Sequence, residues 1–378
     1  MRVLHVAAYY APAYVYGGPP RSIHGLCRAL TRHGVDVEVF TTDANGEAAL
    51  PPTVTGSGDF EGVPVRYFPR TWPLEPIGSR ALATTLRRTI GRFDALHIHG
   101  LWNRIVWTAA REARRAGVPY VLSPRGMLET AALAHKPWRK RLAYAAIERH
   151  TIEGAATCHA TSAREAATLR AITPDASVVL IPNGVDVPAG ADPAPNVRPT
   201  FVFIGRLHAI KRLDLLLDAF AQVVAVRPDA RLIIAGPDEQ RLRELLEPRQ
   251  APGNRVTWLG AVDARQRDAV LAQARALVVC SDSESFGMAV VEAMAAGRAV
   301  IVTRTCGWDD LERRGAGLLV DQNPLAIADA MQRLLDAPAA ASTMGVNGRR
   351  WVEEAFTWDA VARRFIETYS AIGHALAT

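Results

Sequence analysis

The sequence predicts an α/β protein of two Rossmann-like, doubly wound domains, and three observations carry that expectation. The chain of 378 residues exceeds the length at which one hydrophobic core usually stops growing. Short apolar or β-branched runs alternate with helical periodicity in both halves, as in βαβ units that build a mainly parallel sheet covered on both faces. Between the halves, Val187-Pro188-Ala189-Gly190-Ala191-Asp192-Pro193-Ala194-Pro195-Asn196-Val197-Arg198-Pro199 has four prolines, one glycine and no apolar period. It reads as a linker.

In chain order, 2–7 and 35–41 read as strands, with a helix between them that ends at Gly34, a good C-cap residue. Residues 95–99, 118–123, 157–161 and 178–181 read as further strands, separated by helices such as 138–153 and 163–171. After the linker, 200–204 is a strand. The next helix sets Ile210, Leu213, Leu216, Leu217, Phe220 and Val224 on one face. Strands follow at 231–235, 256–259, 276–280 and 299–303, then helices at 326–335, 339–354 and 358–376. The expected domains are 1–190, completed by a closing helix at 357–378, and 191–356.

Bulk composition is that of an ordinary globular protein, 49% hydrophobic and 22% charged. Four cysteines lie far apart with no CxxC spacing, which argues against a disulfide framework or zinc site and fits a reducing cytosol. The first apolar run stops at Tyr9-Tyr10-Ala11-Pro12, too early for a signal peptide, and no run has the ~18 apolar residues of a membrane span. A cytoplasmic protein, or one peripheral to the inner face of a membrane, is expected. Residues 1–188 hold 22 basic against 15 acidic side chains, and the remainder 22 against 23. A basic first half suggests an anionic surface or substrate there; composition does not choose among membrane, nucleic acid and a phosphorylated small molecule.

The strongest chemical signal is Glu284-Ser285-Phe286-Gly287-Met288-Ala289-Val290-Val291-Glu292. It follows the strand 276–280, at the strand end where open α/β sheets bind ligands. A helix is expected from Phe286–Gly287, with its first free amides, Gly287 and Met288, aimed at an anion such as a diphosphate. Glu292 then lies ~8 Å further along an apolar helix, where a carboxylate is costly without donors. Taken alone, Glu284 also reads as a solvated loop residue and Glu292 as half of a structural ion pair.

Next come Gly205-Arg206 and Lys211. Arg206 leaves the end of strand 200–204, and Lys211 is placed in the first helical turn, where the macrodipole disfavours a cation. An anion held by both resolves that conflict, although a solvent-exposed pair explains them as well. Gly17-Gly18, after the first strand, allows close backbone approach to a phosphate or sugar, or is simply a turn; it is not GxGxxG. In Ala95-Leu96-His97-Ile98-His99, alternation sets His97 and His99 on one side, His97 as a core histidine and His99, at the strand end, as a catalytic candidate.

Together with Ile181-Pro182-Asn183-Gly184-Val185-Asp186 and the closing Phe356-Thr357-Trp358, these residues resemble the group 1 (family 4) retaining glycosyltransferases. The resemblance covers nearly the whole chain. It implies the GT-B fold, two doubly wound domains facing across a cleft, and transfer of a hexose-type sugar from a nucleotide diphosphate sugar. By the resemblance, Arg206 and Lys211 neutralise the donor diphosphate, Glu292 binds the ribose and Glu284 the transferred sugar. The Gly17-Gly18 loop closes over the phosphates, Phe286, Gly287 and Met288 lie along the donor, and Val262 receives the base through its backbone. It also implies same-face attack, with the leaving phosphate oxygen taking the acceptor proton. With no DxD-like motif nearby, neither a metal nor another cofactor is expected.

One segment departs from the family pattern. Many members carry His-Gly after the strand 118–123, and this chain has Ser123-Pro124-Arg125-Gly126. It resembles a subgroup of bacterial polysaccharide enzymes, which points to a lipid-linked saccharide acceptor in exopolysaccharide or lipopolysaccharide synthesis. Arg125 then meets the diphosphate or an anionic acceptor. The stretch His135-Lys136-Pro137-Trp138-Arg139-Lys140-Arg141 suits either an anionic membrane, through Arg139, Lys140 and Arg141, or a solvated helix face. The competing functions are a GT-B-like sugar-nucleotide epimerase or hydrolase and a non-enzymatic polyanion binder. A nicotinamide dehydrogenase lacks its GxGxxG here, and no nucleic-acid-binding motif is visible.

Overall fold

The computed structural model describes residues 1–55, 58–71, 76–128, 147–188, 198–238, 240–250 and 253–374. The chain forms two compact units, Met1–Gly184 with Trp358–Thr378, and Val185–Thr357. The amide of Val185 donates to the Phe356 carbonyl at 2.8 Å, Val185 also pairs with Thr357, and Arg349 donates to the Pro188 carbonyl. Residues 185–188 therefore belong with the second unit.

In the first unit, chain order runs β1 (Arg2–Ala7), β2 (Asp36–Thr42), the ribbon β3 (Ala44–Asn45) and β4 (Ala48–Ala49), β5 (Asp59–Phe60), β6 (Val63–Phe68), β7 (Ala95–His99), β8 (Tyr120–Ser123), β9 (Thr157–Ala160) and β10 (Val178–Leu180). The sheet has eight strands in the order β10-β9-β8-β7-β1-β2-β6-β5. All its pairings are parallel except β5 with β6. Pleating divides the core. Leu4, Val6, Leu96 and Ile98 face the helices Arg80–Thr89 and Arg104–Ala116, while Val3, Ala7 and Val121 face the helices Gly18–Arg32 and Trp358–His374. The last helix is thus part of the first unit's core. Trp358 lies so close to Gly25 and Gly184 that a Cβ there would sit 2.3 and 2.2 Å from its ring.

The second unit holds β11 (Thr200–Ile204), β12 (Arg231–Ala235), β13 (Val256–Gly260), β14 (Ala276–Val279), β15 (Ala299–Thr303) and β16 (Gly317–Val320). They form a wholly parallel six-stranded sheet in the order β13-β12-β11-β14-β15-β16. In each sheet the order reverses at the first strand, between β1 and β7 and between β11 and β14. Such switch points leave a crevice at the carboxyl ends of the strands, where ligands bind in open α/β sheets.

β6 and β16 are not apparent from the sequence. Pro64 and Arg66 interrupt the first, and the second is four residues after an Arg/Gly turn. The expected helix 138–153 is described only from Arg149 to Glu153, and Arg139, Lys140 and Arg141 lie outside the described residues. Among the described residues, no helix is long and apolar enough to cross a membrane.

Candidate functional site

At the switch point of the second unit, the chain leaves β11 through Gly205 and Arg206. The Gly205 amide bonds the Ala235 carbonyl, and the Gly236 amide the Gly260 carbonyl, so the ends of β11, β12 and β13 form a floor of backbone. Gly236 has φ +151°, and a Cβ there would sit 1.8 Å from the Gly205 carbonyl oxygen; only glycine fits. Arg206 is exposed, and it has no hydrogen-bond or ion-pair partner among the described residues. His208, which sequence reasoning missed, accepts the Ile210 amide on Nδ1 at 3.2 Å. Burial first, and then the charges of Arg206 and Lys211, hold its pKa below the ordinary value.

Lys211 is not in the first turn of the following helix, as expected from the sequence. It closes a 3₁₀ turn, Ala209–Lys211. Arg212 takes a left-handed conformation, φ 50°, tied to Asp214 and Asp282, and the helix begins at Leu213. The macrodipole conflict therefore does not arise. A carboxylate meets Lys211 instead: its Nζ donates to Glu284 Oε1 at 2.7 Å, and the Ser281 hydroxyl donates to the same oxygen at 2.6 Å. Ser281 lies in the segment expected at the ligand-binding strand end, but its contact with Glu284 is not apparent from the sequence. It ends the β14 turn, and its carbonyl accepts the Thr305 hydroxyl at 2.6 Å, which ties the loop after β15 to the site.

The helix expected after Glu284 runs from Met288 to Ala295, with Gly287 as a left-handed N-cap, φ 83°. A Cβ on Gly287 would also meet the Trp308 indole nitrogen at 2.9 Å. The Phe286 side chain packs inward against Trp308 and Phe356, so only its backbone is left for a ligand. Met288 is half-buried. Glu292 has the donor that its apolar helix requires, because Arg267 reaches its Oε1 at 2.7 Å. Val262 leads into the helix Ala264–Ala272, which is capped by Asp263, and its backbone makes no hydrogen bond among the described residues.

The switch point of the first unit is lined differently. His5, His97 and His99 stand on adjacent strands in register, His5 opposite His97 and Ala7 opposite His99, on the face covered by the helix Trp358–His374. All three are buried, and burial above all holds each far toward the neutral form, His5 down to about 3. Neutral rings fix the direction of every hydrogen bond. His159 Nε2 donates to the Ile181 carbonyl, so its Nδ1 accepts the Ser123 hydroxyl at 2.6 Å. Ser123 Oγ accepts from His97 Nε2, and His97 Nδ1 accepts the Tyr369 hydroxyl, each at 2.6 Å. The relay links the Ile181-Pro182-Asn183 segment to the closing helix.

A second relay runs outward. Arg125 donates to His99 Nδ1 at 3.3 Å, so His99 Nε2 carries its proton and donates to His5 Nδ1 at 3.0 Å. His5 Nε2 is then a buried donor with no partner. His99 therefore reaches no solvent and stands behind Arg125. These three histidines are the group among the described residues whose ligand atoms could share an ion, all within 4.8 Å. They fit one poorly, because both nitrogens of His97 and His99 are engaged and the Arg125 cation lies against them. Gly17 (φ +82°) and Gly18 begin the helix Gly18–Arg32, and a Cβ on either would meet nothing within 4 Å.

Comparison with known proteins agrees with this architecture. Residues 17–184 match the family model described as a glycosyl transferase 4-like domain, and residues 191–351 the one described as glycosyl transferases group 1. A D-inositol 3-phosphate glycosyltransferase 2 of Catenulispora acidiphila is 30% identical over 393 residues, covering 94% of this chain and 90% of that protein. A GDP-mannose-dependent alpha-(1-6)-phosphatidylinositol dimannoside mannosyltransferase of Mycobacterium tuberculosis is 27% identical over 390 residues, covering 98% and 97%. Among solved structures, sucrose-phosphate synthase from Thermosynechococcus elongatus has a TM-score of 0.75 at 23% identity, covering 99% of both chains; this likeness concerns the fold. Both units are matched by glycosyltransferase models and one relative reaches 30% identity along nearly the full length, so the chain is a group 1 (family 4) glycosyltransferase with the GT-B fold.

Proposed function

We propose that the enzyme transfers a hexose-type sugar, with retention and without a metal, from a nucleotide diphosphate sugar to a lipid-linked saccharide of the cell envelope. The observation that carries the donor half is the Lys211–Glu284 pair beside the partner-free Arg206, at the switch point of the second sheet. A donor has its negative charge on the diphosphate and its hydroxyls on the sugar, next to one another. A cation and a carboxylate 2.7 Å apart suit that junction.

In this reading Arg206 and Lys211 receive the diphosphate, Glu284 the transferred sugar and Glu292 the ribose, with Arg267 orienting Glu292. Val262 takes the base on its backbone, and the amides of Gly287 and Met288 face the phosphates. The anomeric carbon–oxygen bond to phosphate breaks while the acceptor oxygen bonds the same face, and the leaving phosphate oxygen takes the acceptor proton. Charge gathers on the diphosphate in the transition state, so fixed cations supply the stabilisation. The lipid-linked acceptor is supported by the excess of basic residues before the linker and by a relative whose name includes phosphatidylinositol dimannoside. A peripheral position at the cytoplasmic face, through Arg139, Lys140 and Arg141, goes with it.

The test is a thermal-shift screen of nucleoside diphosphates and their sugars, since a ligand that binds only the native state raises its melting temperature. One nucleoside diphosphate is expected to stabilise the wild type, and Arg206→Ala and Glu284→Ala to cost transfer at least tenfold. Undiminished transfer by either variant refutes its role, and consumption of donor without an acceptor points to an epimerase or hydrolase.

A further inference from the structure

Among the described residues, nothing accounts for the cation of Arg125. The residue sits in a left-handed conformation, φ 55°, followed by Gly126 at φ 77°, in the turn after β8. Its guanidinium is partly buried and touches only neutral acceptors: the Ser22 hydroxyl at 3.0 Å, Asn183 Oδ1 at 3.2 Å and His99 Nδ1 at 3.3 Å. None of the ion pairs among the described residues includes it. The carboxylate that acts on it from a distance, Glu165, is already spent. Glu165 Oε1 takes the Gly126 amide at 2.5 Å, and Oε2 takes the amide and hydroxyl of Thr161, each at 2.8 Å. Burial accordingly pushes the Arg125 pKa down to about 10.

A desolvated charge without a counter-charge is costly, and the described residues around it fix it in place rather than neutralise it. Glu165 pins the turn, His99 holds the fork from behind with its Nε2 proton on His5, and Ser22 is itself anchored by donating to the Pro19 carbonyl at 3.1 Å. One Nη2 proton of Arg125 and the Asn183 amide nitrogen have no acceptor among the described residues. Two donors held rigidly beside an unpaired positive charge make a receptor for an oxyanion.

We propose that Arg125 and Asn183 form a phosphate-binding site in the first unit, and that the phosphate it takes is carried by the sugar acceptor. The source of the anion rests on the transferase reading; the existence of the site does not. The donor diphosphate has its own cations in Arg206 and Lys211, so the two sites separate by mutation. His99 and His5 are positioning residues for the guanidinium.

The test titrates inorganic phosphate into the full chain, alone and with saturating nucleoside diphosphate, by calorimetry. Wild type is expected to bind one phosphate in both cases. Arg125→Gln should weaken phosphate binding at least tenfold and leave nucleoside diphosphate affinity within twofold, with Arg206→Gln doing the reverse. Asn183→Asp guards against a variant that merely misfolds. It places a carboxylate against the guanidinium, so it should hold or raise the melting temperature while weakening phosphate binding at least tenfold. Absence of phosphate binding to wild type, or unchanged binding to both Arg125→Gln and Asn183→Asp, overturns the site. Loss of nucleoside diphosphate binding in Arg125→Gln overturns its assignment to the acceptor. A wild type that binds phosphate but no nucleoside diphosphate refutes the donor reading and leaves the site standing.

Discussion

Replacing Lys211 by Met keeps most of the side-chain stem and removes the charge, so it isolates the ion pair with Glu284. The two side chains are only 20% and 12% exposed, so solvent screens the pair less than it would a surface bridge. A hydrogen bond to a charged group contributes about 1.5–3 kcal/mol, and loss of the donor leaves a half-desolvated carboxylate whose remaining partner among the described residues is the neutral Ser281. Lys211→Met should therefore destabilise by about 2 kcal/mol. Glu284→Gln in the same background should recover part of that, for a coupling energy of about 1–2 kcal/mol. In transfer, loss of one preorganised stabilising group costs about 10²–10³ in kcat, and the double variant should be scarcely worse than the worse single one. With two units in one chain, unfolding is not assumed two-state. Urea denaturation should be read from the transition that nucleoside diphosphate shifts. Additive stability effects would show that the pair is not a unit, and wild-type transfer by Lys211→Met would refute its contact with the diphosphate.

Three further outcomes are expected. Gly184→Ala drives a methyl into the Trp358 ring and should cost about 1–3 kcal/mol, read as a lower melting temperature; an unchanged one would mean that Trp358 has room to move. His5 and His159 lie near 3 in the folded chain against 6.5 as the ordinary value, so below 6.5 the unfolded chain takes up protons that the folded one refuses. Stability is full above pH 6.5 and is lost as pH falls from there toward 3, so the first unit's melting temperature should drop steeply between pH 6.5 and 5; a flat profile would show that these rings titrate normally. Arg267→Met leaves Glu292 without the donor the structure shows at 2.7 Å and should weaken nucleotide-sugar binding about tenfold while sparing inorganic phosphate. Equal loss of both ligands, seen by calorimetry, would count against a ribose role for Glu292.

Much of the fold is legible because parallel strands buried on both faces are locally apolar. β1, β7, β11, β12 and β15 have the limits that periodicity suggests. β6 is hidden because Pro64 looks like a strand breaker, and it is tolerated where β6 gives way from β2 to its antiparallel partner β5. Periodicity puts Lys211 in the wrong element because nothing in the pattern marks Arg212 as left-handed, where it holds both Asp214 and Asp282, the latter seventy residues on. Glu292 stands out as a carboxylate in an apolar helix and Glu284 by its place after a strand end, yet their partners Lys211 and Arg267 are a matter of packing. The histidine relay is the least legible part. His5, His159, Ser123 and Tyr369 are each unremarkable in sequence, and only the register of β1, β7, β8 and β9 brings them together.

The pairing of Val185 with Thr357 has a consequence for how such a protein can be taken apart. The second unit is one uninterrupted stretch of chain, and its first and last residues are neighbours. It is an insert in a host that closes only with the helix after Thr357. The insert can be excised, or exchanged for that of a relative, by cutting at two adjacent points, as insertion-tolerant domains with close termini allow. The host does not survive the simpler cut. Truncation after Thr357 strips away Phe365, which packs on His97 and His159, and Tyr369, the terminal donor of the relay. Exchange of the second unit by grafting is thus open to this architecture, and C-terminal truncation is not.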